Sequence, residues 1–318
     1  MAQREIKEGW WTVKWPYQDG YDLVEFVRIG QGVGFTAWGY RHRETENPIP
    51  LSSILAAEAP INGAPAHIVK NVEQLIQETR DFGSAAFYRG HRRFEWELTP
   101  AVFRNTCKSD ERSTLNDFRN RAPVRHANTP DEHDLCRWLS LAQHYGLPTR
   151  LLDWTLSPLV AAYFATEPNA EDDRYPGAIW VLNAKKLNEM TTGGDGFPCF
   201  SMDNKEVEEL VRPAFDDECA SPENVIAVLP TEHDLRLFVQ QSAFTLHGNG
   251  VSLEEWRAEL LRDEGEHRKL MMCAFLLPES KLEIQSDLER LGIHEASLFP
   301  DLANLARHVA RDKRNWKR

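Results

Sequence analysis

The chain lacks most of the short motifs by which a catalytic site is recognised in a sequence. Its 318 residues contain no phosphate-binding P-loop, no Gly-x-Gly-x-x-Gly fingerprint, no His-Glu-x-x-His zinc motif and no Gly-x-Ser-x-Gly nucleophile elbow. The five cysteines form no Cys-x-x-Cys pair, which excludes a zinc ribbon and a thioredoxin-like site. The eleven histidines are dispersed, so we expect no metal site.

The chain also lacks an excess of positive charge and any long apolar run. Its 37 basic and 49 acidic residues give a formal net charge of −12, which argues against broad adhesion to nucleic acid or to anionic membranes. No apolar run has the length needed to span a bilayer, and the first residues do not resemble a secretory signal. We therefore expect a cytoplasmic protein with reduced thiols and no membrane partner.

The order of the expected elements predicts an α+β protein with a mixed sheet core and flanking helices. Residues 1–60 form an expected small β-rich module, and an Ala- and Pro-rich stretch at 50–67 is interpreted as a connector. An α+β domain is expected over residues 61–318, with an irregular insertion at 188–222 and a basic helical tail. Strands and helices alternate without the regular βαβ rhythm of a doubly wound fold, which favours the mixed sheet.

The first candidate constellation is the tripeptide Tyr88-Arg89-Gly90 at the end of an apolar strand. A guanidinium binds phosphate or carboxylate through two parallel hydrogen bonds, so Arg89 is a candidate ligand contact. Gly90 would let a ligand or another segment of the chain approach the backbone closely. The alternative is structural, with Arg89 paired to an internal aspartate and Gly90 serving a turn.

The second candidate constellation joins the end of a helix to a short strand, in the stretch QHYGLPTRLLDW. Asp153 stands in an otherwise apolar strand, and a buried carboxylate needs a partner such as Arg89 or Arg150. His144 can donate, accept or titrate near neutrality, and Tyr145 can stack on a ring. The alternative is a buried polar network that fixes the core.

Two adjacent glutamines, Gln240 and Gln241, form the third constellation, at an expected junction between a helix and a strand. Side-chain amides at such a junction can bind ribose hydroxyls. They can equally cap the helix, so this pair alone does not distinguish a site from a structural role.

These three stretches, in this order, resemble the FRG domain family, which takes its name from a (Phe/Tyr)-Arg-Gly motif. The matching segments are FYRGH, LAQHYGLPTRLLDWTLSPLVAAYFA and QQSAFTLHG, within about residues 70–250. Their order is also similar to that of the ADP-ribosyltransferase fold. That fold places an Arg or His on a first core strand, a Ser or Tyr on a second strand before a helix, and a Glu or Gln before a later strand.

The resemblance implies an ADP-ribosyltransferase-like fold with NAD as substrate. Arg89 would hold the diphosphate or ribose of NAD, and Gln241 would bind the ribose 2′-hydroxyl. His144 and Asp153 would orient the arginines. These four residues are the implied catalytic set. The implied NAD contacts, of which Tyr145 or Trp154 would stack on nicotinamide, are Tyr88, Gly90, Tyr145, Arg150, Trp154 and Gln240.

Two functions are consistent with these expectations. The first is an ADP-ribosyltransferase or NAD glycohydrolase that acts as a toxin or in defence against phage, with a protein or nucleic-acid target. Gln241 stands where such enzymes usually carry a glutamate. The second is a non-catalytic module that binds a nucleotide or a protein, with a structural cluster of Arg, His and Asp. In that case the N-terminal β module would recruit a protein partner.

Overall fold

The described part of the chain is built on a single mixed β-sheet. The computed structural model describes residues 9–14, 22–32, 35–41, 49–50, 61–104, 110–194, 196–198, 200–230, 235–253, 270–302, 304–306 and 309–310, with side chains from His67 onward. Its strands are β1 (Gly9–Lys14), β2 (Asp22–Gly32), β3 (Phe35–Arg41), β4 (Ile49–Pro50), β5 (Ile61–Val69), β6 (Ala86–His91), β7 (Leu151–Thr155), β8 (Gly177–Asn183), β9 (Val225–Val228), β10 (Ser242–His247) and β11 (Met271–Leu276).

The strands lie in the order β4-β3-β2-β1-β5-β11-β8-β6-β7-β10-β9. Among the described strands, β5 and β11 run parallel and the other neighbours are antiparallel. The predicted α+β class with a mixed sheet is therefore confirmed. The pairing of β1 with β5 makes the sheet continuous across residue 60, and the division into two domains there stays a prediction.

Helices pack against this sheet. None of those among the described residues is both long and apolar enough to cross a bilayer. The helix α4 is buried among β6, β8 and a later helix, which explains why its residues are apolar on all sides. The helices are α1 (Val72–Thr79), α2 (Glu111–Arg121), α3 (Leu135–His144), α4 (Pro158–Thr166), α5 (Ala184–Thr192), α6 (Lys205–Val211), α7 (Leu235–Val239), α8 (Pro278–Arg290) and α9 (Glu295–Leu298).

The sequence carries signals for helix ends, with Ser157 before Pro158 and Gly146 after an amphipathic stretch, and these explain where the site-bearing helices begin and end. Ser157 caps α4 by accepting from the backbone N–H of Val160, as expected for a serine before a proline at the first helical position. Gly146 follows α3 with φ of 84°, a conformation that favours glycine. The strands β1, β2 and β3 were also predicted and pair as antiparallel neighbours.

Two expectations about segments are wrong. The predicted connector at 50–67 contains most of β5, which is hydrogen-bonded to β1 on one side and β11 on the other. Pairing on both edges outweighs the low strand propensity of its Ala and Pro residues. The predicted irregular insertion at 188–222 contains the end of α5 and all of α6, whose Leu210 and Val211 are buried.

The sequence also predicts a turn at 18–20, a helix cap at residue 231 and a helix from residue 252. The turn, the cap, most of that helix and the end of the basic tail at 311–318 fall outside the described residues.

The closest packing near the motif strand occurs at Gly90. A Cβ on Gly90 would lie 2.7 Å from the backbone nitrogen of Ala165 and even nearer to the carbonyl oxygen of Ala161. Both atoms belong to α4, so β6 lies directly on the helix backbone. Gly90 is therefore required by close approach of another segment, one of the two predicted reasons, and the alternative of a turn is wrong because Gly90 lies inside a strand.

We predict that Gly90→Ala destabilises the fold by about 3 kcal/mol or more, because backbone atoms of α4 cannot move aside as a flexible side chain would. Denaturant unfolding measures the change. Gly196→Ala is the matched control, since nothing lies within 4 Å of a Cβ built there. Equal stability of the two variants would contradict the packing argument.

Candidate functional site

A cleft opens where β6 and β7 part. The two strands pair at one described position, Tyr88 opposite Thr155. A cleft of about 700 Å³ lies over this split, and residues of β6, β7, α3, α4 and α7 line it. Neighbouring strands that separate leave backbone groups and side chains accessible from one hollow, which is a common setting for a binding site.

Arg89 is fixed at two points in this cleft. Its Nε donates to Nε2 of His91 at 2.9 Å, and its Nη1 donates to the backbone carbonyl oxygen of Asp153. The guanidinium thus joins β6 to β7 where the strands have parted. Asp153 is a partner of Arg89, as the sequence suggested, but through its carbonyl oxygen.

The carboxylate of Asp153 is exposed to the cleft and is held from α3. Gln143 Nε2 donates to Oδ1 of Asp153 at 2.5 Å, and Thr149 donates its hydroxyl to Oε1 of Gln143. Thr149 in turn accepts from the backbone N–H of Leu151 at 3.2 Å and is almost wholly buried. Asp153 is therefore an oriented carboxylate rather than a loose surface charge.

Two buried histidines, His91 and His247, lie close to Arg89. His91 accepts from Arg89 through Nε2, so its ring proton sits on Nδ1. Trp154 donates to the hydroxyl of Thr245, and that hydroxyl is hydrogen-bonded to Nε2 of His247 at 2.9 Å. The ring of His91 is consequently a neutral acceptor at Nε2.

Burial and the neighbouring cations keep these rings neutral. Burial lowers the pKa of His91 well below its usual value, and the charges of Arg89 and Arg104 lower it further. Burial, with the charge of Arg89, lowers the pKa of His247 to about 3. A neutral imidazole can support the Arg89 guanidinium as an acceptor, whereas an imidazolium would repel it.

Arg150 and the indole of Trp154 are buried, although Trp154 borders the cleft. Arg150 is buried and forms a forked ion pair with Glu111, with a further hydrogen bond to the carbonyl oxygen of Leu210. This pair ties β7 to α2, so the predicted ligand role of Arg150 is replaced by a structural one. The indole of Trp154 is 3% exposed and lies in the core, where it cannot stack on a ligand.

The two adjacent glutamines, Gln240 and Gln241, line different hollows. Gln240 borders the cleft, but its amide is buried and donates to the carbonyl oxygen of Leu298. Gln241 does not line this cleft; it lines a second hollow with Leu156 and Phe238. The predicted contact of Gln241 with a ribose in the first cleft is therefore not supported by its position.

Tyr88 and Gly90 border the cleft but contribute little side chain to it. Tyr88 is 7% exposed, and its ring packs with the helices on α4's side of the sheet. Burial raises the pKa of Tyr88, and its hydroxyl contacts Thr79. Both residues therefore shape the strand that carries Arg89.

Aromatic rings form the accessible rim. Tyr145 is 57% exposed and makes edge contacts with His144 at 5.1 Å and His126 at 6.2 Å between ring centroids. Trp96 is 39% exposed, with the guanidinium of Arg92 5.7 Å from its ring. The cleft is lined by all of these residues, which are Arg92, Trp96, His126, His144 and Tyr145. Trp96 was missed from the sequence because it belongs to no recognised motif.

Cations outnumber carboxylates along the cleft, although the chain is acidic overall. Glu167 is paired with Arg92, which also pairs with Asp172. Arg137 in turn lies 3.9 Å from Asp134, so the excess of arginines holds for the lining residues themselves and is offset by carboxylates beside them. The charged lining residues are Arg89, Arg92, Arg137, Arg236, Asp153 and Glu167.

Comparison with protein families identifies the segment that carries this cleft. Residues 84–174 match the FRG domain family. The FRG segment contains Arg89, Gln143, His144 and Asp153, and the glutamines at 240–241 lie beyond it. No curated protein and no solved structure matches the chain.

We predict that acid weakens the fold through His247. Its folded pKa of about 3 lies below the unfolded value of about 6.5. The unfolded chain therefore binds a proton first, and stability falls as the pH drops from 6.5 toward 3. From pH 7.5 to pH 5, one such group costs about 2 kcal/mol. Denaturant unfolding of the wild type and of His247→Gln at both pH values tests this. A pH dependence that is the same in the variant would contradict it.

Proposed function

We propose that the cleft binds a nucleotide of the NAD type and that the chain is an ADP-ribosyltransferase-like enzyme. The observation that carries the proposal is the meeting of three groups in one cleft: the fixed guanidinium of Arg89, the oriented carboxylate of Asp153 and the exposed rings of Tyr145 and Trp96. A nucleotide presents the complementary set of phosphate, hydroxyl and flat ring.

The charge of the cleft supports an anionic ligand. Arg89 donates to the ring of His91 and to a carbonyl oxygen, both of which are uncharged acceptors. A guanidinium binds phosphate through its fork at low cost in side-chain entropy because it is already positioned. Arg137, on the rim, adds a second cation for a diphosphate.

The exposed rings support a ligand with flat groups. Tyr145 replaces Trp154 as the residue proposed to stack on nicotinamide, since its ring is accessible and is held from the side by His144. Trp96 offers a second stacking surface in the same cleft.

The proposed reaction breaks the bond between nicotinamide and the ribose carbon C1′. Nicotinamide leaves with the bonding electron pair, and the acceptor forms the new bond to C1′ from its own lone pair while its proton passes to solvent. Positive charge develops on the ribose in between, and Asp153 is the cleft carboxylate that would stabilise it, since Glu167 is paired with Arg92. Water as acceptor gives glycohydrolase activity, and a protein or nucleic-acid acceptor gives transfer.

The ADP-ribosyltransferase fold, the acceptor and a role as toxin or in defence against phage are proposed from the FRG resemblance. A second candidate function is nucleotide binding without turnover. The position of Gln241 favours it, since this residue, expected beside the breaking bond, lines another hollow. Asp153 also has one oxygen engaged by Gln143.

We predict that the purified protein binds NAD and releases nicotinamide, and that Arg89→Lys weakens NAD binding about tenfold or more. Lysine keeps the charge but not the planar fork. Calorimetry measures binding, and chromatography of free nicotinamide measures turnover.

Arg125→Lys is the control, because Arg125 is exposed and does not line the cleft. Binding without nicotinamide release supports the second candidate. If the folded wild type binds no NAD, both candidates fail at this cleft.

A further inference from the structure

We infer that Gln143 and Thr149 form a clamp that presents Asp153 to a ribose hydroxyl, so that the cleft selects ribonucleotides over deoxynucleotides. The inference rests on the proposed nucleotide binding and assigns its sugar class. It also assigns Gln143 and Thr149 as positioning residues.

The hydrogen bonds fix the direction of every group in the clamp. An ionised carboxylate only accepts, so Nε2 of Gln143 must face Asp153 and its Oε1 must face Thr149. The hydroxyl of Thr149 therefore donates to Oε1 of Gln143, and it accepts from the backbone N–H of Leu151. The amide cannot flip without placing its oxygen against a carboxylate.

The clamp leaves one carboxylate oxygen for a ligand. Gln143 takes Oδ1 of Asp153, while Oδ2 has no hydrogen-bond partner among the described residues. An ionised carboxylate only accepts, so the group that binds Oδ2 must be a donor. A sugar hydroxyl is such a donor, and its hydrogen bond to a charged acceptor is stronger than one to a neutral acceptor.

The position of the phosphate site supports a sugar as the donor. Arg89 contacts the carbonyl oxygen of Asp153, the same residue whose carboxylate accepts in the cleft. A phosphate bound by Arg89 and a hydroxyl bound by the carboxylate of Asp153 would therefore lie side by side. The 5′-phosphate and the 2′- and 3′-hydroxyls of one ribose unit have this close spacing, whereas base and phosphate are farther apart.

The burial of Thr149 indicates that the clamp is built into the fold. Thr149 is 1% exposed, and it orients a side chain rather than meeting solvent. Valine has nearly the shape of threonine without the hydroxyl, so Thr149→Val removes the hydrogen bond that holds Oε1 of Gln143 and with it the support for the direction of Asp153. Thr149→Ser keeps the hydroxyl and is the matched control.

The test compares ADP, 2′-deoxy-ADP and 3′-deoxy-ADP by calorimetry on the full chain. In the wild type, at least one deoxy compound is expected to bind about tenfold or more weakly than ADP. The ratio is expected to persist in Thr149→Ser and to approach one in Thr149→Val and in Asp153→Asn. A ratio measured within one variant is independent of the fraction of protein that folds, so a purely structural role of Thr149 would not change it.

The outcomes separate this inference from the proposed function. If ADP and both deoxy compounds bind with equal affinity, the clamp does not distinguish ribose from deoxyribose, and nucleotide binding stands. If selectivity survives in Thr149→Val, the positioning role is overturned. Absence of ADP binding overturns the inference, and the NAD experiment then decides the proposed function separately.

Discussion

The contact between Gly90 and the backbone of α4 is the constraint on which the cleft depends. It fixes how closely β6 lies against the helix, and through the alternation of the strand it fixes where Arg89 and His91 point. Arg89 can reach the carbonyl of Asp153 only because β6 is held there while β7 turns away. The glycine of the family motif is thus a packing residue that positions the arginine beside it.

The two arginines first considered as partners of Asp153 have opposite environments. Arg150 is buried with Glu111, and because an unpaired buried charge is costly, it is committed to holding β7 on α2. Arg89 donates to a neutral ring and to a carbonyl oxygen. The structural interpretation of the polar cluster therefore describes Arg150, and the functional interpretation remains a proposal for Arg89.

Prediction from sequence succeeded where local patterns decide and failed where pairing across the chain decides. The helix after Ser157 and the end of α3 at Gly146 followed from caps, and β6 from its apolar run. By contrast, β5 depends on β1 and β11, neither of which its own residues reveal. In the site, Asp153 was identifiable as a carboxylate in an apolar strand. No sequence motif marked Trp96 as a site residue. Gln241 has a φ of 47° and lines the second hollow instead of the cleft.

The displacement of Gln241 changes which residue can meet a developing positive charge. In the order inferred from the ADP-ribosyltransferase resemblance, that group comes just before β10. Here the cleft receives its oriented carboxylate from the middle of β7, on the neighbouring strand. Phe244 of β10, three residues after Gln241, lies opposite Asp153, yet Gln241 lines the second hollow and Asp153 the first. If the proposed reaction takes place in this cleft, Asp153, held by Gln143, would serve both the sugar and the charge that forms on it.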